Sequence, residues 1–486
     1  MIDVCLLLEG SYPYVAGGVS TLVHELITTM KDIRFGIVYI APNSDPTRKL
    51  KYALPSHVVY LKEVFLHDYD LSSYRKREPK EADYDLIRHF YGEMFEGRYD
   101  SFPRFIDLFR GEKSCFDIQT WFSSETIWKM LKEFYELYGE EMSFIDFFWT
   151  WRGTQLPLIQ VLSAPLPRSK IYHSISTGYA GLIGSMAKIE HGTKFFLTEH
   201  GIYTHERLLE ISQASWIYQK EKKNFRAQRE LSILKRWWIG MFHVMSRLTY
   251  NYADRIFTLY EGNRVRQILE GGDPEKISII PNGIDVKSFG GIVKEKREVP
   301  QIGFIGRVVQ IKDVKTFVQS ARLVLEKIPG AQFFIVGPTE EEPDYFEECQ
   351  RLVEGLHLEE RVVFTGRADI RDYYKFLDLV VLTSLSEAQP YAILEANACG
   401  TPVVATDVGA CREMVEGKEP MDKIVGVSGL ITEVANPVAT AEAILRLLTD
   451  KALYESAARA GKKRTKSYYD VDDLRSRYLN LYEQNL

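Results

Sequence analysis

Two glutamates in the second half of the chain have a spacing suited to binding a sugar. In the segment LTSLSEAQPYAILEANACGTPVVATDVG, residues 382–409, the pattern predicts an apolar strand that ends at Thr383. Glu387 follows in a loop, and Glu395 lies on the next helix, which Gly400 ends. An ionised carboxylate accepts hydrogen bonds and can receive two hydroxyl donors, so a vicinal diol is its natural partner. The spacing alone is also compatible with a helix-terminal carboxylate and a surface glutamate.

A basic pair follows a different apolar strand. Arg307 and Lys312 stand in IGFIGRVVQIKD, directly after a run that predicts a buried strand. A planar guanidinium and a compact ammonium together suit a diphosphate. Two such cations can neutralise the charge on a departing diphosphate without a metal ion. Taken alone, the pair is also typical of a surface salt bridge.

Two turns at predicted strand ends offer backbone groups to a ligand. Gly17-Gly18 leads into a predicted helix at Val19, where free N–H groups and the helix dipole can bind an anion. Asn282 lies in PNGID, residues 281–285, after another predicted strand. Either segment, considered alone, is also a plain turn.

Two histidines end predicted strands. His173 ends KIYH, and His200 ends FFLTEH. Either imidazole could bond a sugar hydroxyl or the group being transferred. A lone histidine at such a position is also typical of a structural hydrogen bond.

Common metal and nucleotide motifs are absent from the sequence. There is no Walker A sequence, no HExxH and no GxGxxG, and the glycines of GYAGLIG have the wrong spacing for a dinucleotide fingerprint. The DxD pattern, which can hold a metal on a sugar nucleotide, occurs at Asp68/Asp70, Asp83/Asp85 and Asp470/Asp472. All three lie in charged, helix-like surroundings rather than after an apolar strand. We therefore expect solvated faces there and no metal site.

Alternating strands and helices must position these residues. VCLLLE, a glycine-containing loop, VSTLVHELITTM and FGIVYIA predict strand, loop, helix and strand. Fully apolar strands are typical of a parallel sheet covered on both faces. The segment at about 65–165 breaks this pattern and predicts a mostly helical insertion rich in aromatic residues. From residue 300 the alternation resumes as a second doubly wound unit.

The sequence thus predicts an α/β protein with two Rossmann-like, doubly wound parallel-sheet domains. The first covers residues 1–285, the polar stretch 286–299 is a linker, and the second covers 300–469. A final helix at about 470–486 is expected to pack back on the first domain. Two such domains facing each other across a cleft would place a ligand at the carboxyl ends of both sheets.

Composition disfavours several classes of protein. The 486 residues are 45% hydrophobic and 26% charged, close to the average of soluble globular proteins. The 61 basic and 67 acidic side chains give a net charge of −6, which disfavours nucleic acid as a partner. The 5 cysteines are dispersed, as suits a reducing compartment. The short apolar N-terminus predicts a first strand rather than a signal peptide, so we expect a cytoplasmic protein.

Taken together, these motifs resemble the retaining glycosyltransferases of family 4, which have the two-domain GT-B fold. The resemblance extends over nearly the whole chain. The matching motifs, in chain order, are the loop Gly17-Gly18, NG-x-D (Asn282–Asp285), GR-x4-K (Arg307 and Lys312) and E-x7-E (Glu387–Glu395).

The resemblance implies roles for these residues. It places Glu387 at the transferred sugar, Glu395 at the ribose, and Arg307 with Lys312 at the leaving diphosphate. The histidine of HSISTGYAGLIG, His173, is similar to the family's active-site histidine, and His200 is a second candidate. The loop after Glu387 reads AQPYAI where many members have a glycine-containing run. The substrate-side residues implied in that loop are Gln389, Pro390, Tyr391 and Ala392.

A narrower resemblance concerns the segments DVCLLLEGSYPYVAGGVSTLVHELI and LTEHGIYTHER. Both are similar to the Pel exopolysaccharide glycosyltransferases of biofilm formation. This resemblance implies a UDP-sugar donor, UDP-glucose, and a saccharide acceptor. It also implies work beside a membrane-embedded synthesis and export complex, at the inner face of the membrane.

We therefore predict a metal-independent, retaining hexosyltransferase in which domain closure brings Gly17-Gly18 onto the diphosphate and excludes water. Two other functions stay open. A sugar-nucleotide epimerase or hydrolase on the same fold is compatible with His173 and His200. A non-catalytic, nucleotide-sensing subunit of a membrane complex is the other. The segment KRWWIGMFHVM, residues 235–245, is compatible with a partner contact and with a buried helix.

Overall fold

A computed structural model describes the chain apart from residues 16, 69–74, 140–142 and 214–232. The chain divides into two compact units. The first comprises Met1–Thr258, Asn263–Ile279 and Tyr478–Leu486, and the second Leu259–Gly262 and Ile280–Arg477. Each unit contains a parallel sheet with helices, so the predicted α/β class with two doubly wound sheets is confirmed.

The sheet of the first unit has, among the described residues, 7 parallel strands. They are β1 (Ile2–Glu9), β2 (Phe35–Ala41), β3 (Val58–Phe65), β4 (Ser169–Ser174), β5 (Lys194–Glu199), β6 (Arg255–Thr258) and β7 (Ile277–Ile279). Their order is β3-β2-β1-β4-β5-β6-β7, so the direction of winding reverses between β1 and β4. Doubly wound sheets bind their ligands at such a point, beyond the carboxyl ends of the strands.

Strand β3 was not predicted, because the sequence pattern passes from β2 to the insertion without a second apolar run. This strand lies at the edge of the sheet, beside β2. Lys62 and Glu63 interrupt it, and Val59 is exposed. An edge strand tolerates such charges. It therefore lacks the continuous apolar run that marks the buried strands.

Helices surround this sheet. Those before residue 270, within the described ranges, are α1 (Gly18–Thr29), α2 (Glu81–Glu96), α3 (Phe102–Asp107), α4 (Ile118–Ser123), α5 (Glu125–Tyr138), α6 (Phe144–Ser163), α7 (Tyr179–His191), α8 (Tyr203–Gln213), α9 (Ile233–Tyr252) and α10 (Glu261–Leu269). The predicted insertion carries α2 to α6. Its aromatic side chains, such as Phe105 and Trp121, join the same hydrophobic core as the sheet.

The aromatic segment 235–245 lies on α9 and is partly buried in the first unit. Phe242 and Met245 belong to the core. Lys235 is also buried, and its Nζ donates a hydrogen bond to the carbonyl of Ser212 at 2.8 Å. Of the two interpretations of this segment, the contacts favour a buried helix.

The sheet of the second unit has 6 parallel strands, in the order β10-β9-β8-β11-β12-β13. They are β8 (Gln301–Ile305), β9 (Gln332–Val336), β10 (Val362–Gly366), β11 (Leu379–Leu382), β12 (Val403–Thr406) and β13 (Gly429–Thr432). The later helices are α11 (Val286–Gly290), α12 (Val314–Leu325), α13 (Pro343–Gly355), α14 (Ile370–Tyr374), α15 (Tyr391–Cys399), α16 (Cys411–Glu416), α17 (Pro420–Lys423), α18 (Pro437–Thr449), α19 (Lys451–Tyr468) and α20 (Val471–Glu483). The winding reverses between β8 and β11.

The stretch 286–299, which we predict to be a linker, is mostly exposed, but parts of it contact the second unit. Asp285 caps α11, where Phe289 is buried in a hydrophobic cluster. The ammonium of Lys294 donates to the carbonyls of Tyr374 and Leu377 at 2.8 and 3.0 Å. A polar sequence concealed this packing, since a long lysine chain can cross an apolar surface and reach carbonyl oxygens.

The last residues of α20 belong to the first unit, as do the residues that follow them. Tyr478 and Tyr482 are fully buried there. Among the described residues, no helix combines the length and the apolar character needed to cross a bilayer.

Candidate active site

The loops that leave β8 and β11 carry the acidic and basic residues that the motifs singled out. Arg307 lies just beyond the end of β8, and Lys312 ends the 3₁₀ turn Gln310–Lys312. Glu387 lies between β11 and α15. Since β8 and β11 flank the reversal of winding, these residues occupy the ligand-binding end of the second sheet.

Lys312 and Glu387 form an ion pair. Lys312 Nζ lies 2.5 Å from Glu387 Oε1, and the hydroxyl of Ser384 donates to the same oxygen at 2.7 Å. The side chains are 20% and 10% exposed, respectively. The fold thus brings together two residues from separate motifs and leaves each partly open to solvent.

Hydrogen bonds between the two loops hold this pair in place. Thr383 Oγ1 donates to the carbonyl of Asp313 at 2.7 Å, and the Leu385 N–H donates to the carbonyl of Ile311 at 2.8 Å. Gly409 packs against the other side of the Glu387 loop, where a Cβ atom would lie 2.0 Å from the carbonyl oxygen of Glu387. Its φ of +53° also favours glycine. The position of Glu387 therefore depends on contacts from both sides.

Glu395 lies on α15, as predicted, and the helix ends at Gly400. The hydroxyl of Tyr374 donates to Glu395 Oε2 at 3.0 Å. Burial raises the pKa of Glu395 to about 7, against the opposing effects of this hydrogen bond and of the Arg371 charge. One carboxylate oxygen is thus held by the protein, and further acceptor positions remain for a ligand.

Asn282 and Gln389 hold each other. The Asn282 N–H donates to Gln389 Oε1 at 2.5 Å, and Asn282 Nδ2 donates to the Gln389 carbonyl at 3.2 Å. Both residues are buried. Among the described residues, Asn282 Oδ1 has no hydrogen-bond partner. The two side chains predicted to contact substrate therefore brace the Glu387 loop.

The rest of the AQPYAI loop starts α15. Pro390 is buried and occupies the N-cap position, and Tyr391 is the first helical residue. Ala392 is buried, and its carbonyl accepts a hydrogen bond from the Tyr374 hydroxyl at 3.2 Å. Pro390 and Ala392 thus lie beneath the site, in the packing of the helix start.

Arg307 pairs with a different carboxylate, Glu341. Its Nη1 lies 2.5 Å from Glu341 Oε2, and the two side chains are 52% and 44% exposed. This is the surface salt bridge that the sequence also allowed. An exposed pair of this kind contributes about 0–1 kcal/mol to stability, so a phosphate could replace Glu341 at little cost.

Gly17 and Gly18 open α1 in the first unit. Gly17 occupies the N-cap position and Gly18 is the first helical residue, so the predicted turn into a helix is confirmed. Both are exposed, and no side chain caps the helix start. Anion binding at this turn stays a prediction.

His173, predicted to end a strand, is the penultimate residue of β4. It lies within β4, paired with Leu6 of β1, and is fully buried. Its Nδ1 bonds the hydroxyl of Tyr482 at 2.6 Å and its Nε2 bonds Thr198 Oγ1 at 2.8 Å. Burial lowers the pKa of His173 to about 3. With both ring nitrogens engaged inside the core, the position favours a structural role over contact with substrate.

His173→Gln tests this role through the pH dependence of stability. When a histidine must stay neutral in the folded state, the unfolding free energy of the protein falls by about 1.4 kcal/mol per pH unit below the unfolded pKa of ~6.5. We therefore expect wild type to be the more stable protein at pH 7. The difference in unfolding free energy should shrink as pH falls from 6.5 toward 3. Denaturant unfolding at several pH values measures this difference, and a constant difference would contradict a neutral, buried His173.

His200 lies just after β5, as predicted, and is nine-tenths buried. Burial lowers the pKa of His200 to about 4. Its Nε2 has no hydrogen-bond partner among the residues that the structure describes. Contact of His200 with substrate stays a prediction.

Two families match the chain. Residues 2–275, more than half of the chain, match the family described as "Domain of unknown function (DUF3492)". The chain belongs to the DUF3492 family. Residues 299–450 of this DUF3492 protein also match the family described as "Glycosyl transferases group 1". The second match supports the resemblance to glycosyltransferases.

Curated relatives of the DUF3492 protein align with part of their length. The UDP-Gal:alpha-D-GlcNAc-diphosphoundecaprenol alpha-1,3-galactosyltransferase of Escherichia coli is 31% identical over 194 residues, which cover 37% of this chain and 47% of the relative. The N-acetyl-alpha-D-glucosaminyl L-malate synthase of Bacillus anthracis is 24% identical over 253 residues, which cover 52% of this chain and 62% of the relative. The chain thus spans about half of the length of these relatives.

Solved structures resemble the DUF3492 protein over its whole length. The crystal structure of Anabaena Alr3699/HepE in complex with UDP has a TM-score of 0.60 and 15% identity, covering 99% of this chain and 100% of that one. Sucrose-phosphate synthase from Thermosynechococcus elongatus has a TM-score of 0.58 and 17% identity, covering 99% and 98%. These likenesses confirm the predicted GT-B fold.

The DxD carboxylates of this DUF3492 protein serve local structure. Asp83 is buried, at variance with the predicted solvated face, because it pairs with Arg77 at 2.6 Å and caps α2. Asp472 pairs with Arg475 at 3.1 Å, and Asp70 lies outside the described residues. Within the described ranges, no group of three or more His, Cys, Asp or Glu could hold a metal ion.

Two residues that contact the predicted carboxylates were missed. Ser384 lies in the Glu387 loop. A serine three residues before a glutamate can predict a hydrogen bond between the two side chains. Tyr374 reaches Glu395 from α14, which is 21 positions away in the chain. Only the fold relates Tyr374 to Glu395.

Proposed function

We propose that this DUF3492 protein is a glycosyltransferase that moves a hexose from a UDP-sugar to a saccharide acceptor. The observation that carries the proposal is the Lys312–Glu387 pair, held at the reversal of winding in the second sheet. This pair lies in the part of the chain that matches the group 1 glycosyl transferases. A cation beside a carboxylate offers one group to a diphosphate and the other to sugar hydroxyls.

Within this proposal, Lys312 binds the diphosphate and Glu387 binds the transferred sugar. Arg307 exchanges its surface pair with Glu341 for a phosphate oxygen. Glu395 accepts hydrogen bonds from the ribose hydroxyls, while Tyr374 keeps its carboxylate oriented. The contacts within the second unit leave these side chains able to form further hydrogen bonds to a ligand.

The reaction that we propose retains the configuration of the sugar and uses no metal ion. The bond from the sugar C1 to the diphosphate oxygen breaks, and a bond from C1 to the acceptor oxygen forms on the same face. The acceptor's proton passes to the departing diphosphate oxygen. Lys312 stabilises the negative charge that develops on this oxygen as the bond breaks.

We further propose UDP-glucose as the donor and a growing exopolysaccharide, or a related saccharide, as the acceptor. Support comes from the Pel-type resemblance of the sequence and from Alr3699/HepE, whose crystal structures hold UDP, UDP with glucose, and UDP-glucose. Work at the inner face of a membrane, beside a polysaccharide synthesis and export complex, belongs to the same proposal and rests on the resemblance alone.

Calorimetric binding in the presence of EDTA tests the donor. The titrants are UDP, UDP-glucose, UDP-N-acetylglucosamine, UDP-N-acetylgalactosamine and GDP-mannose. We expect binding of UDP and of one UDP-sugar, UDP-glucose. Binding of none of them would overturn the UDP assignment. Turnover of a UDP-sugar without transfer to any saccharide would favour a hydrolase or an epimerase.

The two glutamates should respond differently in the same assay. We expect Glu395→Ala to weaken UDP about tenfold or more, because charge-assisted hydrogen bonds to the ribose are lost. Glu387→Ala should weaken the binding of the UDP-sugar more than that of UDP, because in this proposal Glu387 binds the sugar and no part of UDP. The two dissociation constants, measured for both variants by calorimetry, check this division. Equal losses for both ligands in both variants would contradict it.

A further inference from the structure

The carboxyl end of β1 carries a carboxylate that the proposed function leaves unused. Glu9 is the last residue of β1, and the first sheet reverses its winding between β1 and β4. Its side chain is partly exposed. It therefore lies where doubly wound sheets bind their ligands.

Glu9 is held by a tyrosine and a helix start. The hydroxyl of Tyr203 donates to Glu9 Oε1 at 2.7 Å. The Ala180 N–H, in the first turn of α7, makes a long contact of 3.5 Å with Oε2. A Cβ atom on Gly178 would lie 2.6 Å from Glu9 Oε2 and 2.4 Å from Tyr203 Cζ. Only glycine at position 178 leaves room for this arrangement.

A second carboxylate, Glu199, holds Tyr203 in place through the backbone of Tyr203. Glu199 is buried, and its Oε1 accepts the Tyr203 N–H at 3.0 Å. Its Oε2 accepts hydrogen bonds from Tyr250 at 2.7 Å and from Gln267 at 2.9 Å. Glu199 thus has its partners within the protein and serves as a support, whereas Glu9 has capacity to spare.

Glu9 forms no direct ion pair with a lysine or arginine in the described part of the chain. The charge of Arg207 lies 5.2 Å from the centre of the Tyr203 ring, and its Nη2 donates to Glu210 at 2.7 Å. Burial raises the pKa of Glu9, although the hydrogen bond from Tyr203 and the more distant Arg207 charge oppose this shift. A carboxylate that costs free energy to hold and retains free acceptor positions is typical of a ligand-binding site.

We propose that Glu9 binds the saccharide acceptor, by accepting a hydrogen bond from one of its hydroxyls, and that Tyr203 positions Glu9 for this contact. The inference rests on the proposed glycosyl transfer and adds the acceptor side of it. A hydroxyl-bearing ligand fits because the carboxylate is an acceptor, and the contacts from Tyr203 and Ala180 leave acceptor positions open.

Binding measurements on the full-length protein test this role. The probes are p-nitrophenyl glycosides of glucose, galactose and N-acetylglucosamine. Their binding is measured by saturation-transfer NMR with UDP present. We expect at least one probe to bind wild type. Glu9→Gln should weaken the binding of that probe about 10- to 150-fold, because one charge-assisted hydrogen bond is lost. Tyr203→Phe should weaken it less, because the carboxylate remains. Calorimetric affinity for UDP should stay within about twofold in both variants.

Glu270→Gln is the matched control. Glu270 accepts a 2.6 Å hydrogen bond from Thr204, the neighbour of Tyr203, so the variant perturbs the same helix without touching Glu9. Glu270→Gln should bind UDP, and each glycoside that wild type binds, as wild type does. The proposal would be overturned if no probe bound wild type, or if a probe bound wild type and Glu9→Gln equally well. Loss of probe binding in Glu270→Gln as well would also overturn it. Failure of wild type to bind UDP or any UDP-sugar would instead overturn the proposed function.

Discussion

Lys312→Ala is expected to lower the turnover of the UDP-sugar about 10²–10³-fold, as the loss of a single fixed donor to a developing negative charge does in other enzymes. Lys312 Nζ lies 2.5 Å from Glu387 Oε1, and the lysine side chain is 20% exposed. Its partial burial reduces screening by salt, so its charge acts on a bound diphosphate more strongly than that of a free surface lysine. Steady-state measurement of kcat with a saturating UDP-sugar checks the effect.

Lys315→Ala separates this role from a general loss of positive charge. Lys315 lies on α12, three residues away, and pairs with Glu348 at 2.5 Å on the surface. This control should keep kcat within about twofold of wild type, because an exposed pair contributes little. Unchanged turnover in Lys312→Ala would remove Lys312 from the leaving-group role. An equal loss in both variants would assign the effect to net charge.

Arg464→Ala should have the largest effect on the stability of the second unit. Arg464 and Asp422 are 0% and 1% exposed, and Arg464 Nε donates to Asp422 Oδ1 at 2.7 Å. The guanidinium also donates to the carbonyls of Val415 at 2.7 Å and Gly426 at 2.6 Å. Truncation removes the charge that pairs with the buried Asp422 carboxylate and a donor to three carbonyls, although Val415 keeps the Ser428 N–H and Asp422 Oδ2 keeps the Lys418 N–H. We expect a loss of about 3–5 kcal/mol in unfolding free energy, measured by denaturant titration.

Arg459→Ala is the control on the same helix. Arg459 is 73% exposed and lies 3.8 Å from Glu455. Its removal should change the unfolding free energy by less than about 1 kcal/mol. If Arg464→Ala were no less stable than this control, the buried pair would not be a main contact of the second unit.

The motifs in the second half predicted their own surroundings well. Strand β11, the loop with Glu387, helix α15 and its end at Gly400 all follow the sequence pattern. This agreement has a local cause: apolar strands, a proline at the helix start and a glycine in the left-handed conformation act within a few residues. The class of the sheets followed from the same signals.

Longer-range contacts escaped the pattern. The position of His173 at the end of KIYH indicated a strand end, yet the fold continues the strand by one residue and covers the imidazole with Tyr482, which is 309 positions away. The polar stretch 286–299 carried no sign that Lys294 crosses to three oxygen atoms of the second unit.

By itself the sequence determined the alternation of strands and helices, the two doubly wound sheets and the positions of Glu387, Glu395 and Lys312 along the chain. These depend on local propensity and hydrophobic period, which neighbouring residues set. The tertiary structure decided which of the predicted residues meet. It joined Lys312 to Glu387, left Arg307 on a surface pair and enclosed His173, because contacts between distant segments depend on packing that no short sequence window contains.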